Sequence, residues 1–331
     1  MSTVRIGLFG CGVVGSGVVR ILQERGEQIG EQTGCRPVIS KVCLRYPEKD
    51  RTVDLSGIHV TTSIQEVLED PDIDLCIEVI GGEDDALHIL TSALRRGKSV
   101  ITANKLLVAS HLPELRRLED LHGGSLLYGA SVCGSVPILK VIDETLSIDT
   151  ITSIRGVING STNFILGQLA GGVSWDQALE RGRAEGFLEA DPILDISGAD
   201  AAQKLSILAC HAFGWHVLPK DIPTRGINEI PSRVFAAARS DGKKLKLVAE
   251  GKITECGLTL SVAPRALPAT SPLALVDNEI NVVEVECRGV GTQRFIGKGA
   301  GSLPTANAVI SDLLDIIARR RYRRHVPSLS L

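Results

Sequence analysis

The stretch Val4-Arg5-Ile6-Gly7-Leu8-Phe9-Gly10-Cys11-Gly12-Val13-Val14-Gly15 decides how the rest of the chain is read. Val4 to Phe9 is a short apolar run that breaks at Gly10, the pattern of a buried strand. From Val13 to Ile29 apolar residues recur at helical spacing. Gly10, Gly12 and Gly15 therefore stand in a turn between a strand and a helix. The spacing G-x-G-x-x-G is weak alone, but in that context it is a dinucleotide-binding fingerprint. Gly10 permits the tight turn, Gly12 lets a pyrophosphate approach the backbone, and Gly15 allows helix and strand to touch. The helix start through Val13 and Val14 turns N–H groups and a positive dipole end towards phosphate.

The alternation continues downstream. Val38–Leu44, Leu75–Ile80, Ser99–Thr102 and Leu126–Tyr128 read as strands. Helical patterns cover Ala86–Leu94 and the stretch after Thr102 to about Leu121. Strands alternating with helices predict an α/β, doubly wound parallel sheet of Rossmann type. The pattern then changes. Pro137–Thr145, Asn163–Leu169, Trp175–Glu185 and Ala201–Phe213 read as helices, and Thr152–Ile158 as a strand. Leu245–Thr254, Leu258–Ala263 and Ile280–Cys287 are extended and β-branched, which predicts an antiparallel or mixed sheet. Pro304 opens a final helix that runs to about Arg319.

With 331 residues the chain exceeds what one core usually fills, so two domains are expected. A net charge of -3 argues against nucleic acid as a partner, and 3% aromatic residues leave no platform for base stacking. No apolar run has the length of a membrane span. The N-terminus enters a strand with no basic region before it, so no secretory signal is read and a cytoplasmic protein is expected. Cysteines at 11, 35, 43, 76, 133, 210, 256 and 287 include no CxxC pair, and read as reduced thiols rather than a zinc or redox site. The basic run from Arg319 to Arg324 reads as a solvated helix end.

Cofactor choice is set near the end of the second strand, which reads Val42-Cys43-Leu44-Arg45-Tyr46. NAD readers usually place an acid there for the ribose 2′-hydroxyl; Arg45 suits a 2′-phosphate instead, with Lys49 and Arg51 nearby. NADP is therefore the expected cofactor, with NAD as second choice. Two further segments carry chemistry. Thr102-Ala103-Asn104-Lys105 follows a strand of the nucleotide domain, where ligands gather. Glu189 to Lys204 places acids ahead of an apolar helix, with Asp200 and Lys204 at i and i+4 on one face. Hydride transfer to a carbonyl leaves an alkoxide that needs a proton, and a lysine can supply it. An ordinary ion pair is the competing reading of Asp200 and Lys204.

The residues resemble the homoserine dehydrogenase family. The resemblance is carried by Gly10–Gly15, Glu78-Val79-Ile80-Gly81-Gly82, Gly97–Lys105, Tyr128–Pro137, Asn159-Gly160-Ser161-Thr162-Asn163, Glu189–Lys204 and Gly297-Lys298-Gly299-Ala300-Gly301 with Pro304-Thr305-Ala306, in order along nearly the whole chain. It implies the reversible NAD(P)-linked interconversion of L-aspartate 4-semialdehyde and L-homoserine, on the way to threonine, isoleucine and methionine. By position, Lys204 is the proton donor, Asp200 holds the substrate and orients that lysine, and Lys105 lies between nicotinamide and substrate. Glu189 and Asp195 belong to the substrate site, with Gly160 and Ser161. Gly10, Gly12, Val13, Val14, Gly15, Arg45, Lys105, Gly299 and Gly301 belong to the cofactor. The implied domains are 1–132 for the nucleotide, with 304–331 returning to it, and 133–303 for catalysis and dimerisation through a mixed sheet. A homodimer is expected, in the short form without an ACT domain or a fused kinase. One departure is Gly129, where the family has a glutamate that binds its sodium-type ion. Carbonyls at Val132, Gly134 and Val136 remain, fewer oxygens than a hard cation wants unless water adds to them. The same-class alternative is a related amino-acid or semialdehyde dehydrogenase with another substrate; the different-class alternative is an NADP(H)-binding sensor, which has no need of Lys105, Asp200 and Lys204 together.

Overall fold

The computed structural model describes residues 1–189, 191–228, 230–319 and 322. It divides into two compact units, Met1–Ser135 with the chain from Gly301 onward, and Val136–Ala300.

The first unit is built on six parallel strands: β1 (Ser2–Phe9), β2 (Cys35–Cys43), β3 (His59–Thr61), β4 (Leu75–Glu78), β5 (Ser99–Thr102) and β6 (Leu126–Leu127). Their order is β3-β2-β1-β4-β5-β6. This is the Rossmann-type arrangement, and the direction of strand addition reverses between β1 and β4. Ligands bind outside the carboxyl ends of strands at such a switch point. Ile6 and Leu8 of β1 pack against Val18, Val19 and Leu22 of the first helix, Val13–Thr33, and against Val309, Ile310 and Leu313 of the last, Ser302–Ile317. A Cβ on Gly17 would stand 2.8 Å from that of Ala306, so glycine lets these two helices touch.

The second unit holds a five-stranded sheet: β7 (Ile151–Val157), β8 (Lys243–Thr254), β9 (Gly257–Pro268), β10 (Ile280–Cys287) and β11 (Gly291–Lys298), in the order β11-β10-β7-β8-β9. Every pairing among these strands is antiparallel, which decides between the antiparallel and mixed sheets that the sequence left open. For two of the pairs the reason is connectivity: β8–β9 and β10–β11 are joined by short turns, and only antiparallel neighbours can be joined that way. On one face the Ala199–Phe213 helix packs on β7, β8 and β9. On the other, Val157 and Val282 meet Leu273 and Val276. Beyond that cluster this second face is charged, with the buried Glu284 gripped by Arg155 Nε at 2.7 Å and Arg294 Nε at 2.6 Å.

β3 and β11 were not foreseen. β3 has three residues, too few to show alternation. β11 is an edge strand carrying Thr292, Arg294 and Lys298, so no apolar period marks it. Of the basic run, only Arg319 and Tyr322 lie within the described residues.

Among the cysteines Cys256 is exposed, Cys35 is half-buried and the rest are buried. Burial pushes the Cys76 thiol up to about 12. A thiol reagent added to the folded protein should therefore modify Cys256 first and Cys35 more slowly. Peptide mapping that finds Cys76 modified before unfolding would contradict this burial.

Candidate active site

The candidate residues divide between the two units. In the first, Gly10 turns the chain at φ +94. A Cβ there would lie 2.9 Å from the Val79 carbonyl oxygen, and one on Gly15 would run into the carbonyl oxygen of Gly10. Both glycines are required by the protein's own packing. Gly12 is different, because a Cβ there would meet nothing within 4 Å. Its bare backbone borders an open cleft of about 950 Å³, at the start of the first helix. Val13 and Ser16 line the same cleft. A helix start beside open space is the arrangement that suits an anion.

Leu44, Arg45, Tyr46 and Lys49 line one part of the cleft, and Val79 to Gly82 with Asp85 line another. The Arg45 side chain is 74% exposed, and its Nη2 lies 3.3 Å from Asp85 Oδ2. Arg51 is used otherwise: it donates to the carbonyls of Tyr46, Pro47 and Lys49 and so ties that loop together. Gly301 has φ +127 and leads into the last helix, where the Ser302 hydroxyl donates to the Val13 carbonyl at 2.7 Å.

Lys105 is the first residue of the Lys105–His122 helix. Two strand ends control its approach. β4 ends on Glu78 and β5 on Thr102, which are register partners. The Thr102 hydroxyl donates to Glu78 Oε2 at 2.5 Å and accepts from the Asn104 N–H at 2.9 Å. The Asn104 side chain caps the helix by accepting from the Leu107 N–H at 3.3 Å.

In the second unit Asn159 caps the Gly160–Ala170 helix, its Oδ1 accepting from the Thr162 N–H at 2.8 Å. Its Nδ2 donates to Asp195 Oδ1 at 2.6 Å and to Asp200 Oδ2 at 2.8 Å. Lys204 Nζ lies 2.7 Å from that same Asp200 oxygen and donates to the Ile158 carbonyl at 2.8 Å. Asp200 and Lys204 are both buried. A surface ion pair would be solvated; this one is desolvated and shares its carboxylate with a capping amide. Burying such a pair costs several kcal/mol per ion unless hydrogen bonds replace water, which Asn159 and Ile158 do here. The Ser161 hydroxyl donates to the Phe187 carbonyl at 2.9 Å, and Phe187 stacks on Phe164 with ring centroids 4.4 Å apart. These contacts anchor the segment that leads to Glu189, which is exposed. Gly160 leaves room for the backbone of Glu279, 3.1 Å from where its Cβ would stand. Gly299 donates its N–H to the Glu279 carbonyl at 2.9 Å and lies against the Asn281 amide.

Residues 10–129 match the family model described as homoserine dehydrogenase, NAD binding domain, and residues 137–314 match the one described as homoserine dehydrogenase. The homoserine dehydrogenase of Bacillus subtilis is 40% identical over 322 residues, which are 97% of this chain and 74% of that protein. The chain belongs to the homoserine dehydrogenase family. A crystal structure of a homoserine dehydrogenase from Thiobacillus denitrificans superposes with a TM-score of 0.92 at 35% identity, over 96% of this chain and 73% of that one. A hyperthermophilic archaeal homoserine dehydrogenase, solved in complex with NADPH, gives a TM-score of 0.82 at 27% identity, over 97% of this chain and 100% of that one.

In this member of the family, Gly129 has a local cause. Its N–H donates to Asp312 Oδ2 at 2.8 Å, and a Cβ would stand 2.8 Å from Asp312 Oδ1. A carboxylate from the last helix therefore occupies the space beside residue 129. Of the remaining oxygens, the Val136 carbonyl accepts from the Ile138 N–H at 2.8 Å. Val132 and Gly134 flank Cys133, and both Cys133 and Gly134 are left-handed, at φ 58 and 52. No group of three His, Cys, Asp or Glu side chains able to hold a metal occurs among the described residues. Carbonyl oxygens at these positions, with water, are what this segment would offer a hard cation, and no step of the reaction is routed through one.

Two polar centres were given no role by the sequence reading. Asn159 joins the two acids; its signal was an Asx residue just ahead of a helix. Lys246 is buried in β8, with Nζ on Asn163 Oδ1 at 2.6 Å and Asp277 Oδ1 at 2.9 Å, and burial pushes its pKa below the usual lysine range. In the run Lys243-Lys244-Leu245-Lys246 nothing distinguishes it from its exposed neighbour Lys243.

Proposed function

We propose that the chain catalyses the reversible reduction of L-aspartate 4-semialdehyde to L-homoserine with NADP preferred over NAD. The observation that carries this reading is the buried Lys204–Asp200 pair held by Asn159 beside Asp195. The first unit's cleft fits a dinucleotide: Gly10, Gly12 and Val13 line it where the pyrophosphate would lie, Val14 and Gly15 set the helix start behind them, and Arg45 would meet a 2′-phosphate. When bound, the nicotinamide supplies the hydride that reduces the aldehyde carbon. Lys204 donates a proton from Nζ to the oxygen on which negative charge develops, and the new O–H bond completes the alcohol. In the reverse direction neutral Lys204 accepts that proton. Asp200 orients the ammonium, Glu189 and Asp195 bind the substrate's α-ammonium group, and Lys105 binds the reacting oxygen or the carboxylate.

Following NADPH absorbance with L-aspartate 4-semialdehyde tests the reading. Oxidation with a different semialdehyde, and none with this one, would assign the chain to a related dehydrogenase. Arg45→Ala should lower kcat/KM for NADPH by about 10- to 100-fold, the range expected for losing a charged hydrogen bond, with NADH little changed. Asp85 competes with the phosphate for Arg45 at 3.3 Å. Asp85→Ala should therefore tighten NADPH by about two- to fivefold, as for removal of an exposed pair. An Arg45→Ala enzyme that discriminates as well as the unchanged one would remove Arg45 from cofactor selection.

The chain also functions as a homodimer in this reading, through the charged face of the second unit's sheet around Glu284, and acts in the cytoplasm. The burial of all but two of its cysteines suits a reducing compartment, and among the described residues no helix is long and apolar enough to cross a membrane. Light scattering that returns a monomer mass would refute the dimer.

A further inference from the structure

Glu78 is fully buried, yet the reaction as described makes no use of it. No cation pairs with it among the described residues. Burial pushes its carboxyl above the usual carboxylate range, and three donors pull the other way: the Ile80 N–H at 2.9 Å, the Gly81 N–H at 3.3 Å and the Thr102 hydroxyl. An isolated buried carboxyl is costly, and cores are normally free of them. Its partners show what it connects. Ile80 and Gly81 belong to the loop after β4 that lines the cleft. Thr102 ends the neighbouring strand and holds Asn104 by its N–H, and Asn104 Nδ2 returns to the same loop by donating to the Gly82 carbonyl at 2.7 Å. The bonds close a ring: Glu78, the Gly81-Gly82 turn, Asn104, Thr102 and back. Lys105 is the next residue after Asn104.

We propose that Glu78 is a positioning residue, which through Thr102 and Asn104 locks the Gly81-Gly82 loop to the helix start and fixes where the Lys105 ammonium is presented. The proposal rests on the function proposed above. The ring has a fixed sense. Every partner of Glu78 is a donor, which suits an acceptor-only carboxylate. Because the Thr102 proton goes to Glu78, the hydroxyl oxygen is left to accept from Asn104. An amide at position 78 would turn an NH2 group against one of these donors. Both loop glycines have left-handed backbone, at φ 71 and 78, so the turn has few intrinsic restraints on its path and takes its place from these bonds.

Two substitutions open the ring without removing a buried charge. Thr102→Val is nearly isosteric and loses the hydroxyl. Asn104→Asp keeps the helix cap, because aspartate caps as well as asparagine, but cannot donate to Gly82. Misplacing a reacting group by about 1 Å costs on the order of 100-fold, so each variant should lower kcat by about 10- to 100-fold with KM for the semialdehyde held within about threefold. Thr102→Ser should restore kcat. A second readout needs no cofactor: mass-spectrometric labelling of amines in the ligand-free protein should show Lys105 reacting at a changed rate in both variants and at the original rate in Thr102→Ser. Unchanged kcat and unchanged Lys105 labelling would overturn the proposal. So would a lowered melting temperature with neither change, since that describes a structural bond only. If the unaltered enzyme fails to reduce aspartate semialdehyde, the functional reading falls, and the labelling still decides whether the ring positions Lys105.

Discussion

Lys204→Ala is expected to lower kcat by about 10³-fold while NADPH still binds, within the 10²- to 10⁴-fold that positioned proton transfer contributes. The ammonium is buried and held on two sides, by Asp200 Oδ2 at 2.7 Å and the Ile158 carbonyl at 2.8 Å. Alanine removes the only proposed proton donor from this cluster. It also takes the buried cation away from the desolvated Asp200, and breaking a buried pair typically costs about 3–5 kcal/mol. A loss of activity could therefore arise from unfolding. Three measurements separate the causes: circular dichroism for the fold, NADPH fluorescence for the cleft, and added methylamine as a replacement proton donor. Partial rescue by the amine with intact NADPH binding is the expected outcome. Turnover within about tenfold of the unaltered enzyme, below the range for general acid catalysis, would move proton transfer to another group.

The glycine loop yields the second large effect, and two of its positions should respond differently. Gly15→Val places a Cβ against the Gly10 carbonyl oxygen, so the first helix must shift off β1. Overpacking of this kind costs about 1–3 kcal/mol, which for a unit of the first one's size lowers its melting temperature by several degrees, roughly 2–4 °C per kcal/mol. The proposed pyrophosphate site uses the same helix start, so NADPH affinity should fall by about 100-fold, the equivalent of about 3 kcal/mol. Gly12→Ala adds a Cβ that meets no protein atom within 4 Å. The melting temperature should fall less than for Gly15→Val, with only the ψ -145 backbone at this position to strain an alanine, yet NADPH should bind more weakly, because in the proposed reading that space is taken by the phosphate. Thermal unfolding and NADPH titration on the two variants check this. If Gly12→Ala bound NADPH as tightly as the unaltered chain, the pyrophosphate would lie elsewhere.

Much of the fold was legible, and the particular elements show why. β5 is found at Ser99–Thr102 as read, because an apolar tetrapeptide between a helix-ending glycine and a polar turn has few alternatives. The Asp200–Lys204 contact follows from i, i+4 spacing on a single helix. β11 was not legible: as an exposed edge strand it leaves no apolar alternation. The second sheet was left between antiparallel and mixed, because composition records that a segment is extended and not which neighbour it joins.

The limit lies at the range of contact. By itself the sequence determined the strand–turn–helix at Gly10–Gly15, the alternation behind the parallel sheet, and the pairing of Asp200 with Lys204. Each of these is written in residues a few positions apart, where backbone geometry converts spacing directly into direction. Only the tertiary structure decided that Asn159 joins Asp195 to Asp200 across 36 and 41 positions, and that Glu78 meets Thr102 across 24. It alone placed Asp312 against Gly129 across 183 positions. Such contacts depend on strand register and helix packing, which are settled by the whole core at once, so no local pattern in the chain records them.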